Sequence, residues 1–314
     1  MIDSKMTCKE VLFEFGITGN KIEQLASGST NTIWKVYSEK KQYVLRKVLI
    51  ENTSSNYVAF QEWLQNVLVE YDYPYIPLLK NRTGETIVSK EDSYWMLRDF
   101  SEGRCLDFEK KADLVQAVNK LTDLHLIKLS STNSQVADFF YWREDGLNKL
   151  KIVREYLKIY FTAGKCREMY SEYHNILEKL FANKDSELFY PSNIVHGDFH
   201  GGNILFVKDY LNAIIDWDTA HVEPRVVDYA KARLLLCRER HGDFKISRIK
   251  YHMFEEEYAK KIVLSEREFK IADLILLVNY LPKPEYLKTF RTNHNKRKWY
   301  LEWGYNAIRN IRDM

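Results

Sequence analysis

The run His196-Gly197-Asp198-Phe199-His200-Gly201-Gly202-Asn203-Ile204-Leu205-Phe206, followed by Ile214-Ile215-Asp216-Trp217-Asp218, constrains this chain more than any other feature. Two short apolar stretches, Asn193-Ile194-Val195 and Ala213-Ile214-Ile215, flank the polar cluster and read as strands. Asp198, Asn203 and Asp216 are therefore delivered by strand-and-turn geometry. Three oxygen-bearing side chains in this order suit the transfer of a phosphoryl group. That reaction is mainly a matter of positioning and charge neutralisation, because the transferring group is loose and charge-rich. It needs one carboxylate to orient the acceptor hydroxyl and take its proton. It also needs oxygen ligands for magnesium, a hard ion that prefers carboxylate and amide oxygens to sulfur or imidazole.

Asp198 and Asn203 stand five apart, the separation found in the kinase loop pattern H-R-D-x-x-x-x-N. HGDFHGGNILF together with IIDWD resembles the HGDxHxxN and IDxx motifs of the aminoglycoside phosphotransferase and choline kinase superfamily. The resemblance spans about residues 25 to 235. It implies Asp198 as the catalytic base, Asn203 and Asp216 as Mg²⁺ ligands, and His196 and His200 as members that order the loop. It also implies an α+β, bilobal, protein-kinase-like fold. A small antiparallel β N-lobe with one helix would occupy residues 1–100, and a larger, mainly helical C-lobe residues 101–314. Gly197 stands where protein kinases carry the Arg of HRD. No DFG or APE motif follows Asp216, and the few residues before Asp228 leave no room for an activation loop. The expected acceptor is a small molecule.

The N-terminal third fits this frame. Ile33–Tyr37 and Gln42–Val48 are rich in β-branched and aromatic residues around a Lys40-Lys41 turn, which predicts a hairpin. The apolar spacing from Asn56 to Glu70 predicts an amphipathic helix, which Pro74 and Pro77 close off. Thr86-Ile87-Val88 and Tyr94–Leu97 predict a second strand pair. By the resemblance, Ser27, Gly28, Ser29, Thr30 and Asn31 form the loop over the nucleotide phosphates, and Arg46 is the strand cation that grips them. An arginine serves there because its guanidinium contacts phosphate bidentately. Lys47 is expected on the opposite face of the strand. Glu62 is the carboxylate expected to pair with Arg46. Backbone groups from Leu97 through Asp99 to Phe100 form the hinge for the purine of ATP or GTP, and Asp228 is a structural carboxylate behind the metal strand.

The remaining features narrow the setting. A net charge of +3 without a nucleic-acid-binding motif argues against nucleic acid as a partner. Cys8, Cys105, Cys166 and Cys237 are far apart and form no CxxC pair, as expected of reduced thiols in the cytoplasm. The N-terminus shows no signal peptide, and Ile271–Leu281 is too short and polar to span a bilayer. His196, Asp198 and His200 alternate as zinc ligands do, but the other histidines supply no second ligand pair. A kinase-fold protein with a structural role, of the kind associated with spore coats, is the alternative to an active enzyme. The acceptor pocket is expected between the insertion at Ala137–Lys184 and the C-terminal helices. Glu255-Glu256-Glu257 suggests a cationic acceptor such as an aminoglycoside, the basic residues from Lys288 to Arg312 an acidic one. Trp299, Trp303 and Tyr305 suggest stacking on a choline-like amine or a sugar, and homoserine-like amino alcohols complete the set.

Overall fold

A computed structural model of the chain describes residues 2–27, 31–53, 56–129, 193–240 and 245–269, with isolated positions 171, 175 and 272. The chain divides into two compact units. The first is Met1–Arg104 with Leu205–Ile215, and the second is Cys105–Ile204 with Asp216–Met314. The segment Leu205–Ile215 thus belongs to the first unit.

The first unit is built on an antiparallel sheet. Strands β1 (Lys21–Ser27), β2 (Asn31–Tyr37), β3 (Gln42–Leu49), β4 (Ile87–Lys90) and β5 (Ser93–Asp99) run in the order β1-β2-β3-β5-β4. The register sets Leu45 opposite both Trp34 and Leu97, and Arg46 opposite both Ile33 and Met96. Because side chains alternate across a strand, these pairs define the two faces.

One face buries Trp34, Val36, Tyr43, Leu45, Val88, Trp95 and Leu97. It packs on helix α1 (Ile2–Glu14) and the turn after it, through Cys8, Val11, Leu12 and Phe15. Trp34 and Trp95 stack at 5.4 Å between ring centroids. Each side chain fully buried in this way contributes about 1.5–3 kcal/mol. The opposite face buries Val48, Leu78, Ile87 and Met96 against Tyr57 and Val58 of helix α2 (Tyr57–Glu70). α2 is the helix that the apolar spacing predicted. α1 lies outside the elements predicted above, even though Cys8, Val11, Leu12 and Phe15 carry the 3-4 spacing of an amphipathic stripe.

After β5 the chain passes through Gly103, where a Cβ would stand 2.9 Å from the Phe206 carbonyl oxygen, so only glycine fits the crossing. Strands β6 (Arg104–Cys105), β8 (Ile204–Val207) and β9 (Tyr210–Ile214) form a small three-stranded sheet. In the second unit, helix α3 (Lys111–His125) is followed by β7 (Asn193–Val195) and β10 (His221–Glu223), which pair antiparallel. Helices α4 (Arg225–Cys237) and α5 (Arg248–Ala259) complete its described part. Tyr229 of α4 meets Phe254 and Tyr258 of α5 edge-on. The helical stretches expected between Leu147 and Leu180 lie outside the described residues. Among the described residues no helix is long and apolar enough to cross a membrane.

Candidate active site

β7 ends at Val195, and the chain then turns through His196 and Gly197 to Asp198. Gly197 has φ +75°, and a Cβ there would lie 2.2 Å from the Thr219 carbonyl oxygen. No residue with a side chain fits, which explains physically why the loop reads His-Gly-Asp. His196 is fully buried and packs at 4.5 Å from Trp217 and 5.7 Å from Phe199, between ring centroids. Its Nδ1 accepts the Asp198 N–H at 3.3 Å, and its carbonyl accepts Thr219 Oγ1–H at 3.1 Å. His196 is therefore a brace for the loop.

Asp228 of α4 holds the same loop from behind. Its carboxylate, fully buried, accepts the N–H of His196 at 2.8 Å and of Gly197 at 3.1 Å. Behind it stands His125, whose Nε2 lies 3.5 Å from Asp228 Oδ2 and whose Nδ1 lies 2.7 Å from the Tyr258 hydroxyl. With Nε2–H turned toward the carboxylate, Nδ1 accepts from Tyr258 O–H. Burial works against the Asp228 charge, but His125, His196 and the loop N–H groups outweigh it and hold the carboxyl below its usual range. The expectation of a scaffold carboxylate is what the geometry shows.

Asp198 itself is partly exposed. His200 Nε2 lies 3.4 Å from Oδ2, and Lys231 Nζ lies 3.1 Å from Oδ1. His200 Nδ1 accepts the Gly202 N–H at 3.0 Å, which leaves Nε2–H as the donor aimed at Asp198. Burial opposes ionisation of Asp198, yet the His200 hydrogen bond and the nearby Lys231 ammonium hold its carboxyl well below the ordinary range. His196 and His200 thus both spend their Nδ1 on loop N–H groups.

Asn203 is buried at the end of the short 3₁₀ turn Gly201–Asn203, and its Nδ2 donates to the Asp198 carbonyl at 3.0 Å. That hydrogen bond orients the amide, with Oδ1 as its acceptor atom. Asp216 has the left-handed backbone φ +63°, ψ +61°, and heads the 3₁₀ turn Trp217–Thr219 without capping it through its side chain. For a residue with a Cβ this conformation costs about 1–2 kcal/mol. Asp216 is exposed. An amide oxygen and an exposed carboxylate suit Mg²⁺, which takes one or two protein ligands and completes its shell with phosphate oxygens and water.

In the first unit, Arg46 lies in register with Met96 on the α2 face. Lys47 lies on the α1 face, its Nζ 5.2 Å above the Trp95 ring. The two are on opposite faces, as the alternation required. Glu62 accepts a hydrogen bond from Thr86 Oγ1 at 3.0 Å. Of the hinge residues, the Leu97 carbonyl accepts Leu79 N–H at 2.8 Å and the Phe100 N–H donates to Gln42 at 2.9 Å. Ladder alternation turns the Asp99 N–H and carbonyl away from β3, while Lys41 Nζ contacts the Asp99 carboxylate at 3.1 Å. Ser27 ends β1 and Asn31 opens β2, but Gly28, Ser29 and Thr30 lie outside the described residues.

The acidic run on α5 is partly occupied. Glu255 pairs with Arg233 at 3.2 Å, and Glu257 accepts from Asn119 at 2.8 Å and contacts Lys260. Trp299, Trp303, Tyr305 and the basic C-terminal residues lie outside the described residues, as does most of the Ala137–Lys184 insertion.

The sequence profile described as the phosphotransferase enzyme family matches residues 21–256. The chain belongs to this family. No curated protein matches by sequence. Among solved structures, an amicoumacin kinase, determined with AMP-PNP and Ca²⁺, is similar at a TM-score of 0.72 and 13% identity, covering 98% of this chain and 93% of that one. A spectinomycin phosphotransferase in complex with ADP and spectinomycin reaches 0.65 at 16% identity, over 98% and 96%. A microcompartment-associated aminopropanol kinase also reaches 0.65, at 12% identity, over 98% and 96%. At these identities the likeness is one of fold, and the fold shared is that of small-molecule kinases.

Lys231, His125 and Tyr258 were not singled out in the sequence. Lys231 reaches the loop from 33 residues away, His125 reaches Asp228 and Tyr258 reaches His125, and only the Asp228-to-Lys231 spacing of one helical turn gives a local signal.

Proposed function

We propose that this phosphotransferase moves the γ-phosphate of ATP or GTP to a hydroxyl of a small molecule, with Asp198 orienting that hydroxyl and taking its proton. The observation that carries the reading is the bracketing of the partly exposed Asp198 carboxylate by His200 and Lys231, on a loop whose backbone is tied to Asp228 and Asn203. In the step, the acceptor oxygen bonds to Pγ as the bond from Pγ to the bridging oxygen breaks, and that electron pair leaves with the nucleoside diphosphate. The hydroxyl proton passes to Asp198. The transfer is timed with formation of the new O–P bond, as suits a loose transition state. Asn203 Oδ1 and Asp216 would hold Mg²⁺, which neutralises charge on the phosphates when bound. Arg46, with Glu62 as its partner, would grip the α- and β-phosphates. Ser27 to Asn31 would cover the phosphates, and the Leu97–Phe100 hinge, chiefly Asp99, would receive the base. The first unit would serve the nucleotide, the second the chemistry and the acceptor. An enzyme drawing on nucleoside triphosphates would work in the cytoplasm. The acceptor class is an aminoglycoside, a choline- or homoserine-like amino alcohol, or a sugar.

The test incubates pure protein with Mg²⁺, γ-labelled ATP or GTP, and separate pools of these acceptors, with Asp198→Asn alongside. Label in one pool that disappears in the variant supports the reading and identifies the acceptor class. A wild-type protein that binds neither nucleotide would overturn it.

A further inference from the structure

Lys231 projects from α4 three residues after Asp228, so the two side chains lie on one face of the helix. Its Nζ contacts the Gly197 carbonyl oxygen and lies 3.1 Å from Asp198 Oδ1. An isolated, exposed ion pair would be worth only about 0–1 kcal/mol and would carry little meaning. Three features set this one apart. The ammonium has a second fixed partner, the Gly197 carbonyl. Its helix is anchored to the same loop through Asp228, which is fully buried. The other carboxylate oxygen is already met by His200, so the two oxygens of Asp198 are pinned from two sides by two different elements.

We infer that Lys231 is the positioning residue for Asp198, fixing the carboxylate plane so that its remaining lone pairs face the acceptor hydroxyl. This rests on the phosphotransfer reading above. The terminal torsion of an aspartate is broad and roughly two-fold, so a carboxylate without such a clamp samples many orientations. Loss of orientation at a reacting group lowers turnover without weakening the binding of a substrate that the group does not hold. Lys231 takes no part in the proton transfer; the proton of the hydroxyl goes to Asp198.

The experiment compares wild type, Lys231→Met and Lys231→Arg in steady-state phosphotransfer. Lys231→Met is expected to lower kcat by about 10–100-fold while the KM for nucleotide stays within about twofold. Lys231→Arg, which keeps the cation, is expected to recover a substantial part of kcat, and methylammonium is expected to rescue Lys231→Met partially. Unchanged kcat in Lys231→Met, or a loss that neither arginine nor methylammonium relieves, would overturn the assignment. A second measurement needs no turnover: limited acylation with acetic anhydride, read lysine by lysine in peptides. Lys231 is expected to react faster once Asp198 is Asn, relative to the other lysines of the same sample. Equal reactivity of Lys231 in wild type and Asp198→Asn would refute the pair. A wild type that binds neither nucleotide refutes the phosphotransfer reading and the role with it, while the acylation pattern separately decides whether the clamp exists.

Discussion

Asn203 donates from Nδ2 to the backbone carbonyl of Asp198 at 3.0 Å, so the amide proposed to hold Mg²⁺ is also a strut of the loop that carries the proposed base. Asn203→Asp retains an oxygen ligand but lacks the N–H donor, and it sets a carboxylate against a carbonyl. Loss of one such hydrogen bond is worth about 0.5–1.5 kcal/mol, so kcat is expected to fall by about tenfold with a modest change in the Mg²⁺ requirement. Asn203→Ala, which removes both functions, is expected to raise the Mg²⁺ concentration needed for half-maximal rate as well. Rates measured against Mg²⁺ concentration separate the two.

Gly197→Ala places a Cβ 2.2 Å from the Thr219 carbonyl oxygen at φ +75°. The contact is with backbone, which has no side-chain freedom to move aside. The left-handed conformation alone costs about 1–2 kcal/mol for a residue with a Cβ, and the clash adds to it. The variant is expected to lose activity and to unfold at a lower temperature than wild type, as followed by circular dichroism.

Asp228→Asn leaves one of the two loop N–H groups, of His196 or Gly197, facing an amide N–H₂ that cannot accept it. Hydrogen bonds to charged groups contribute about 1.5–3 kcal/mol, and a loss of that size is expected in urea unfolding at pH 7. Because the folded carboxyl lies below its ordinary range, its contribution is complete above the unfolded value of about 3.9 and is lost as pH falls through the folded one. The stability gap between wild type and variant is therefore expected to hold from pH 7 down to about 4 and to shrink below it.

Arg46 and Lys47 separate by face. Arg46→Ala is expected to raise the KM for nucleotide about tenfold or more, as loss of a charge-assisted phosphate contact does. Lys47→Met, on the α1 face above Trp95, removes a cation–π contact worth about 0.5–1 kcal/mol and is expected to leave nucleotide kinetics alone. Equal effects of the two on KM would contradict the assignment of Arg46.

What the sequence made legible was local. The Asp198–Asn203 spacing, the apolar runs beside it and the alternation that parts Arg46 from Lys47 all lie within a few residues, where strand and loop chemistry operate. Asp228 was legible because a family pattern places it there. Other partners were not. Glu62 meets Thr86, 24 residues on, and Lys231 meets Asp198 from 33 residues away, contacts set by how elements pack and not by any short spacing. His125 and Tyr258, 133 residues apart, appear in sequence as ordinary positions on two amphipathic helices. The stripe of α1 was readable in principle, since its apolar residues recur at helical intervals, but the charged residues between them obscured it.

α4 carries Asp228 and Lys231 one turn apart, and so ties both the backbone of the His196–Gly197 turn and the carboxylate of Asp198 to a single rigid rod. The loop's geometry is borrowed from that rod, not written in its own letters. Grafting the string HGDFHGGN onto a foreign strand would transplant the spelling and leave the grammar behind; for the graft to keep its shape, the helix would have to travel with it.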